Sequence, residues 1–114
     1  SPIVYKLITE CVYVIEKKLL KRNILYLQKI INNKFNEEFS IHYIEDLLSK
    51  KLTQILKKEN SIYLIANLKK KNQYNSWKKL IKNQKIQVSI DFYYFEIIIV
   101  KSKKLQKQDY KIRL

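Results

Sequence analysis

Glycine and methionine are absent from this chain of 114 residues, and proline, cysteine, tryptophan and histidine each occur once. Without a residue that lacks Cβ, no glycine-rich phosphate loop, dinucleotide fingerprint or nucleophile elbow can be built, because each needs that freedom at a fixed place. Most ordinary enzyme classes are excluded with them. Cys11 stands alone, so there is neither an internal disulfide nor a cysteine-based zinc site, and a reducing intracellular setting fits best. Long apolar runs are missing too. The longest, Phe92 to Phe95 and then Ile97 to Val100, is interrupted by Glu96 and falls far short of the roughly 20 residues of a membrane span. The chain opens Ser1-Pro2 without methionine, which fits an excised domain or a processed product.

Acidic residues are scarce, with 10 Asp+Glu against 24 Lys+Arg, and the net charge is +14. With 46% apolar and 12% aromatic residues the chain can still fill the core of one domain, yet that charge repels itself unless an anionic partner screens it. A polyanion is the first partner to expect. Lys, Ile, Asn and Tyr supply 58 of the 114 residues and only two basic residues are arginine, so part of the charge reflects the codon bias of an AT-rich genome. Bias does not explain the uneven placement. Residues 1–66 carry a net +4, whereas residues 67–114 carry +10.

Apolar residues at Val4, Leu7, Ile8, Cys11, Ile15 and Leu19 recur every three or four positions and predict one helix over Ile3 to Leu20. Asn23 can cap a second helix with Ile24, Leu27, Ile31 and Phe35 on one face. Ser40 can cap a third, striped by Ile41, Ile44, Leu47, Leu48, Leu52 and Ile55. The period then changes. Ser61 to Leu68 is β-branched and aromatic and reads as a strand, preceded by a polar turn in which Asn60 tolerates positive φ in place of glycine; a hairpin starting near Gln54 completes it. A basic linker leads to a short helix capped by Asn75 or Ser76 and carrying Trp77, Leu80 and Ile81. Ile86 to Val100 reads as a long strand with a bulge or bend near Asp91 to Tyr94, and Asp109 to Leu114 as its antiparallel return.

The expected class is therefore α+β, one domain, with a three-helix unit and β-hairpin wing over residues 1–68, then a basic helix and an antiparallel β-ribbon over residues 69–114. Three helices followed by a hairpin are the order of a winged helix. The stretch from Ser40 to Ile65 resembles the third helix and wing of such domains, a likeness covering about residues 3–68. A winged helix followed by a lysine-rich linker and a Trp-containing basic helix resembles the C-terminal domain of the middle subunit of telomere-capping CST complexes, a relative of the middle subunit of replication protein A. That resemblance implies contacts to partner proteins within assemblies on single-stranded DNA. It makes His42, Tyr43, Glu45 to Lys51 and Lys57 to Asn60 contact positions. The chain departs from the pattern in its glycine-free wing and in the strand-rich stretch from Gln84 to Leu114.

The densest basic cluster is Lys69, Lys70, Lys71, Lys78, Lys79, Lys82 and Lys85, with Tyr74 and Trp77 interleaved. Lysines neutralise phosphates without regard to sequence, and an exposed aromatic can stack on a base. Trp77 shares a stripe with Leu80 and Ile81, so it is expected in the core. Lys101, Lys103, Lys104, Lys107 and Lys111 form a second run at a hairpin tip, able either to enter a groove or to discourage edge pairing. Phe92 to Phe95 put aromatics on both faces of one strand. One face belongs to the core; Tyr93 and Phe95, with His42, Tyr43, Lys50 and Lys51, are candidates for a protein partner. No motif orients a base beside His42 or Cys11, and neither Glu45-Asp46 nor the isolated Asp91 and Glu96 have nuclease or metal spacing.

The sequence thus points to a non-catalytic interaction module without cofactor or metal. It would bind single-stranded DNA or RNA and at least one protein subunit, with no membrane or small-molecule substrate, in the nucleus by preference or in an organelle. The alternatives are a structural protein of an organellar ribosome and a protein-only scaffold subunit.

Overall fold

The computed structural model describes residues 2–47, 59–66, 71–100 and 106–114, and it is a mixed α+β structure. Helix α1 (Pro2–Leu7) runs into a π-helical turn, Ile8–Val12, closed by Tyr13 N–H donating to the Ile8 carbonyl at 2.9 Å. The chain turns and restarts as α2 (Lys17–Arg22), so the single helix expected over Ile3 to Leu20 is broken. The helical phase changes only where α2 restarts. Val4, Leu7, Cys11 and Ile15 are all buried as the stripe requires, but within α2 Leu20 enters the core while Leu19 is 40% exposed. Helix α3 (Ile24–Phe35) matches its expected face, with Leu27, Ile31 and Phe35 buried.

The next segment corrects the expected start of the third helix. Ser40–Ile44 is strand β1, not the start of a third helix. A short apolar run such as Ile41 to Ile44 fits either period, and pairing decides: β1 lies parallel to β2 (Ser61–Ala66), with Ser40 opposite Ser61 and Ile44 opposite Ile65. The rest of that expected helix, and the turn before Glu59, lie outside the described residues. Strand β2 forms where expected and Asn60 has φ 54°. Its two edges are taken by β1 and, antiparallel, by β4 (Phe95–Val100).

Helix α4 (Lys71–Leu80) begins four residues before the expected cap. Strand β3 (Ile86–Asp91) and β4 form a hairpin, so the expected bend near Asp91 to Tyr94 is a full reversal, and the bulge sits instead at Gln87, between Ile86 and Val88. Strand β5 (Gln108–Lys111) pairs with β3 in parallel, which corrects the antiparallel return. The five-stranded sheet has the order β1-β2-β4-β3-β5.

Both faces of this sheet are covered. Ile62, Leu64, Val88, Ile90, Ile97 and Ile99 pack under the N-terminal helices, whereas Tyr63, Ile65, Ile86, Ile98 and Val100 meet Trp77 and Leu80 of α4. Trp77 is 2% exposed, a core residue as its stripe implied. Gln73, also buried, joins the connection after β1 to α4: its Oε1 accepts from Leu47 N–H at 2.9 Å and its amide donates to Asp46.

The β3–β4 loop is Tyr93–Tyr94, closed by Phe92 N–H donating to the Phe95 carbonyl at 3.0 Å. Two-residue hairpin loops require positive φ at their first central residue, and Tyr93 supplies it at 76°. For a bulky side chain this costs about 1–3 kcal/mol.

Replacing Trp77 by Ala should lower the unfolding free energy by about 3–5 kcal/mol in urea titrations. A loss below about 0.5 kcal/mol would place the indole at the surface instead.

Candidate nucleic-acid interface

Helix α4 buries Gln73, Trp77 and Leu80 and therefore turns Asn75, Lys78 and Lys79 outward. Lys78 and Lys79 sit in its last turn, where the helix carbonyls favour cations. Lys78 Nζ also lies 5.1 Å from the centre of the half-buried Tyr74 ring. Facing this helix is β5. Tyr110, Ile112 and Leu114 pack on the N-terminal side of the sheet. Strand alternation therefore sends Lys107, Asp109 and Lys111 to the α4 side. Between the two lies an open cleft of about 720 Å³, lined by Lys78, Lys79, Lys82, Lys107, Asn75 and Asp109 among others.

The groups in this cleft are held differently. Lys107 Nζ donates to the carbonyls of Asn83 and Ile86, at 3.1 and 2.6 Å, which pins the loop after α4 to the start of β5. Asp109 Oδ1 accepts from the buried Ser89 hydroxyl at 2.5 Å. The exposed Lys79 and Lys82, with Lys78, supply cations to the opposite wall. Lys85 is exposed in the turn before β3, outside the cleft lining. Lys69, Lys70, Lys101, Lys103 and Lys104, together with Lys50 and Lys51, lie outside the described residues, as does the side chain of Lys71.

The residues read as partner contacts separate. Phe95 is fully buried and stacks on Phe92 at 4.7 Å, so it belongs to the core and not to a surface. Tyr93 is 53% exposed. His42 and Tyr43 are half-buried on edge strand β1. His42 stacks on Tyr63 at 4.9 Å, and its Nε2 lies 3.0 Å from Ser40 Oγ, itself 2.9 Å from Ser61 Oγ. This small network crosses from β1 to β2 and helps hold their register. Cys11 is fully buried, and burial pushes its thiol up to about 11, which suits a packing role.

One pair escaped the sequence reading. A two-residue loop at 93–94 places Asp91 opposite Glu96, so the two carboxylates read as isolated are cross-strand neighbours. The hairpin register is the signal that could have found them. Asp91 is fixed by Tyr93 N–H at 2.8 Å and by Arg113, whose guanidinium lies 3.9 Å from Oδ1. Glu96 is 1% exposed and its Oε2 has no hydrogen-bond partner among the described residues. Burial first, then the charge and hydrogen bond of Asp91, raise its carboxyl to about 9 against the small opposing pull of Arg113. Glu96 is therefore protonated and neutral at pH 7. Among the described residues no group of three or more His, Cys, Asp or Glu is placed to hold a metal ion, and no helix is long and apolar enough to cross a membrane.

No protein-family model matches the chain, and neither the curated proteins nor the solved structures include a significant match to it.

Because the folded state keeps the Glu96 proton that the unfolded chain releases near 4.5, stability from this group is greatest at low pH and falls as pH rises from about 4.5 to about 9. At about 1.4 kcal/mol per unit the loss amounts to several kcal/mol. Glu96→Gln should flatten that decline in urea titrations between pH 5 and 9; parallel profiles for the two proteins would show that Glu96 is ionised in the fold.

Proposed function

We propose that this chain is a non-catalytic nucleic-acid-binding module whose contact surface is the cleft between α4 and β5. The observation that supports it is the convergence of Lys78, Lys79, Lys82 and Lys107 on one open cleft in which Asp109 is the single acidic lining residue among the described residues. These lysines come from parts of the chain separated by about 25 residues and converge on a common concavity. Codon bias accounts for a lysine-rich composition but not for that convergence. Phosphates entering the cleft would displace the counterions that four closely spaced ammonium groups otherwise require. Lys107, already anchored on two carbonyls, would give the strand a fixed point of positive charge, and the longer reach of Lys78, Lys79 and Lys82 would follow the backbone. Reaction chemistry is not part of this reading, since the buried Asp91–Glu96 pair is closed to a substrate.

The test is oligonucleotide binding across a salt series. The logarithm of the association constant should fall with the logarithm of salt concentration at a slope of roughly −3 for a single strand, about −0.7 for each engaged lysine. Replacing Lys78, Lys79 and Lys82 together by Glu should abolish binding while the far-ultraviolet circular dichroism is unchanged. Salt-independent binding, or none, would refute the reading.

A further inference from the structure

Two described residues other than glycine have positive φ, and the chain fills them differently. At Asn60 it uses asparagine, the residue that tolerates this conformation best after glycine. At Tyr93 it uses a bulky aromatic, among the worst. Codon bias does not account for the choice, because Asn and Tyr are equally frequent here, nine of each. Burial does not compensate either, since Tyr93 is 53% exposed. Strained backbone conformations cluster at ligand-binding and other functional sites.

The surroundings of Tyr93 indicate the ligand. Arg113 Cζ lies 5.7 Å from the centre of the Tyr93 ring, and Tyr94 meets that ring edge to face at 5.1 Å. Lys21 in turn lies 4.5 Å from the centre of the Tyr94 ring. The loop is thus an aromatic pair flanked by two cations. Asp91 Oδ1 holds the Tyr93 backbone N–H at 2.8 Å, and Arg113 donates to the Asp91 carbonyl at 3.2 Å, so ring and guanidinium are tied to the same residue. From Arg113 the chain leads back through Lys111 of β5 to Lys107, just before that strand and in the cleft, a run of about 20 Å at the rise of a strand.

Resting on the cleft reading above, we propose that Tyr93 is a stacking platform for an unpaired nucleobase, and that the ligand of this surface is single-stranded nucleic acid. The β3–β4 loop pushes the ring out at the end of the cationic run. A strand whose phosphates lie along Lys107 and Lys111 brings a base to Tyr93, with Arg113 meeting the adjoining phosphate. In a duplex the bases are stacked on one another and offer the ring no face. Stacking is blind to the sugar, so DNA and RNA single strands are equivalent ligands.

Tyr93→Gly tests this with the full chain. Glycine adopts positive φ without strain, so the variant should unfold at the same or a higher temperature than the parent. Its affinity for a labelled oligothymidylate and for an oligouridylate of the same length should nonetheless fall about 5- to 150-fold, with an unchanged salt slope. Tyr93→Phe should retain the affinity of the parent. On an abasic strand of that length, the parent and Tyr93→Gly should bind alike. If Tyr93→Gly binds oligothymidylate as the parent does while the triple Lys-to-Glu variant does not, stacking is overturned and the phosphate-binding cleft stands. If the parent binds no oligonucleotide at low salt, both fall.

Discussion

Strand β4 is the constraint on which the rest of this structure depends. All six of its residues, Phe95 to Val100, are buried, and β2 and β3 occupy both of its hydrogen-bonding edges. A strand apolar on both faces cannot leave either face in water, because each exposed isoleucine would forgo about 1.5–3 kcal/mol of burial. The N-terminal helices therefore cover one side and α4 the other. Glu96 is the exception within the strand, tolerated because it keeps its proton and shares a hydrogen bond with Asp91.

The position of the basic cleft follows from that requirement. Helix α4 has to give Trp77 and Leu80 to the sheet, and at 3.6 residues per turn this directs Lys78, Lys79 and the following Lys82 away from it. Strand β5 gives Tyr110 to the opposite core and must turn Asp109 and Lys111 the other way. Two unrelated packing demands thus bring lysines of and after α4 together with Asp109 of β5, and Lys107 just before that strand, to the walls of one cleft. The lack of glycine adds a second constraint at the tight reversals, met by an inexpensive residue at Asn60 and by a strained one at Tyr93.

Much of this was legible in the residues. Periodicity identified α3, β2 and the buried face of α4, including the fate of Trp77, because those segments have one period and enough residues to display it. It failed at Ser40 to Ile44, where a short, largely apolar run satisfies helix and strand alike. It failed as well at Tyr13 to Glu16, where the chain turns and restarts as α2, so the stripe holds through Ile15 and is lost only at Leu19. The basic character of α4 was visible, yet its pairing with Lys107 was not, and the opposition of Asp91 to Glu96 emerged only with the hairpin register.

Composition and spacing by themselves determined an α+β chain with an apolar core, a strongly basic second half and no glycine-built site, because these depend on which side chains are present and on local period. The tertiary structure alone decided that β1 is a strand, that β5 runs parallel to β3, and that lysines far apart in the chain share a cleft. Each of these outcomes is a pairing between distant segments, and the free energy of such a pairing resides in the partner as much as in the residues that meet it.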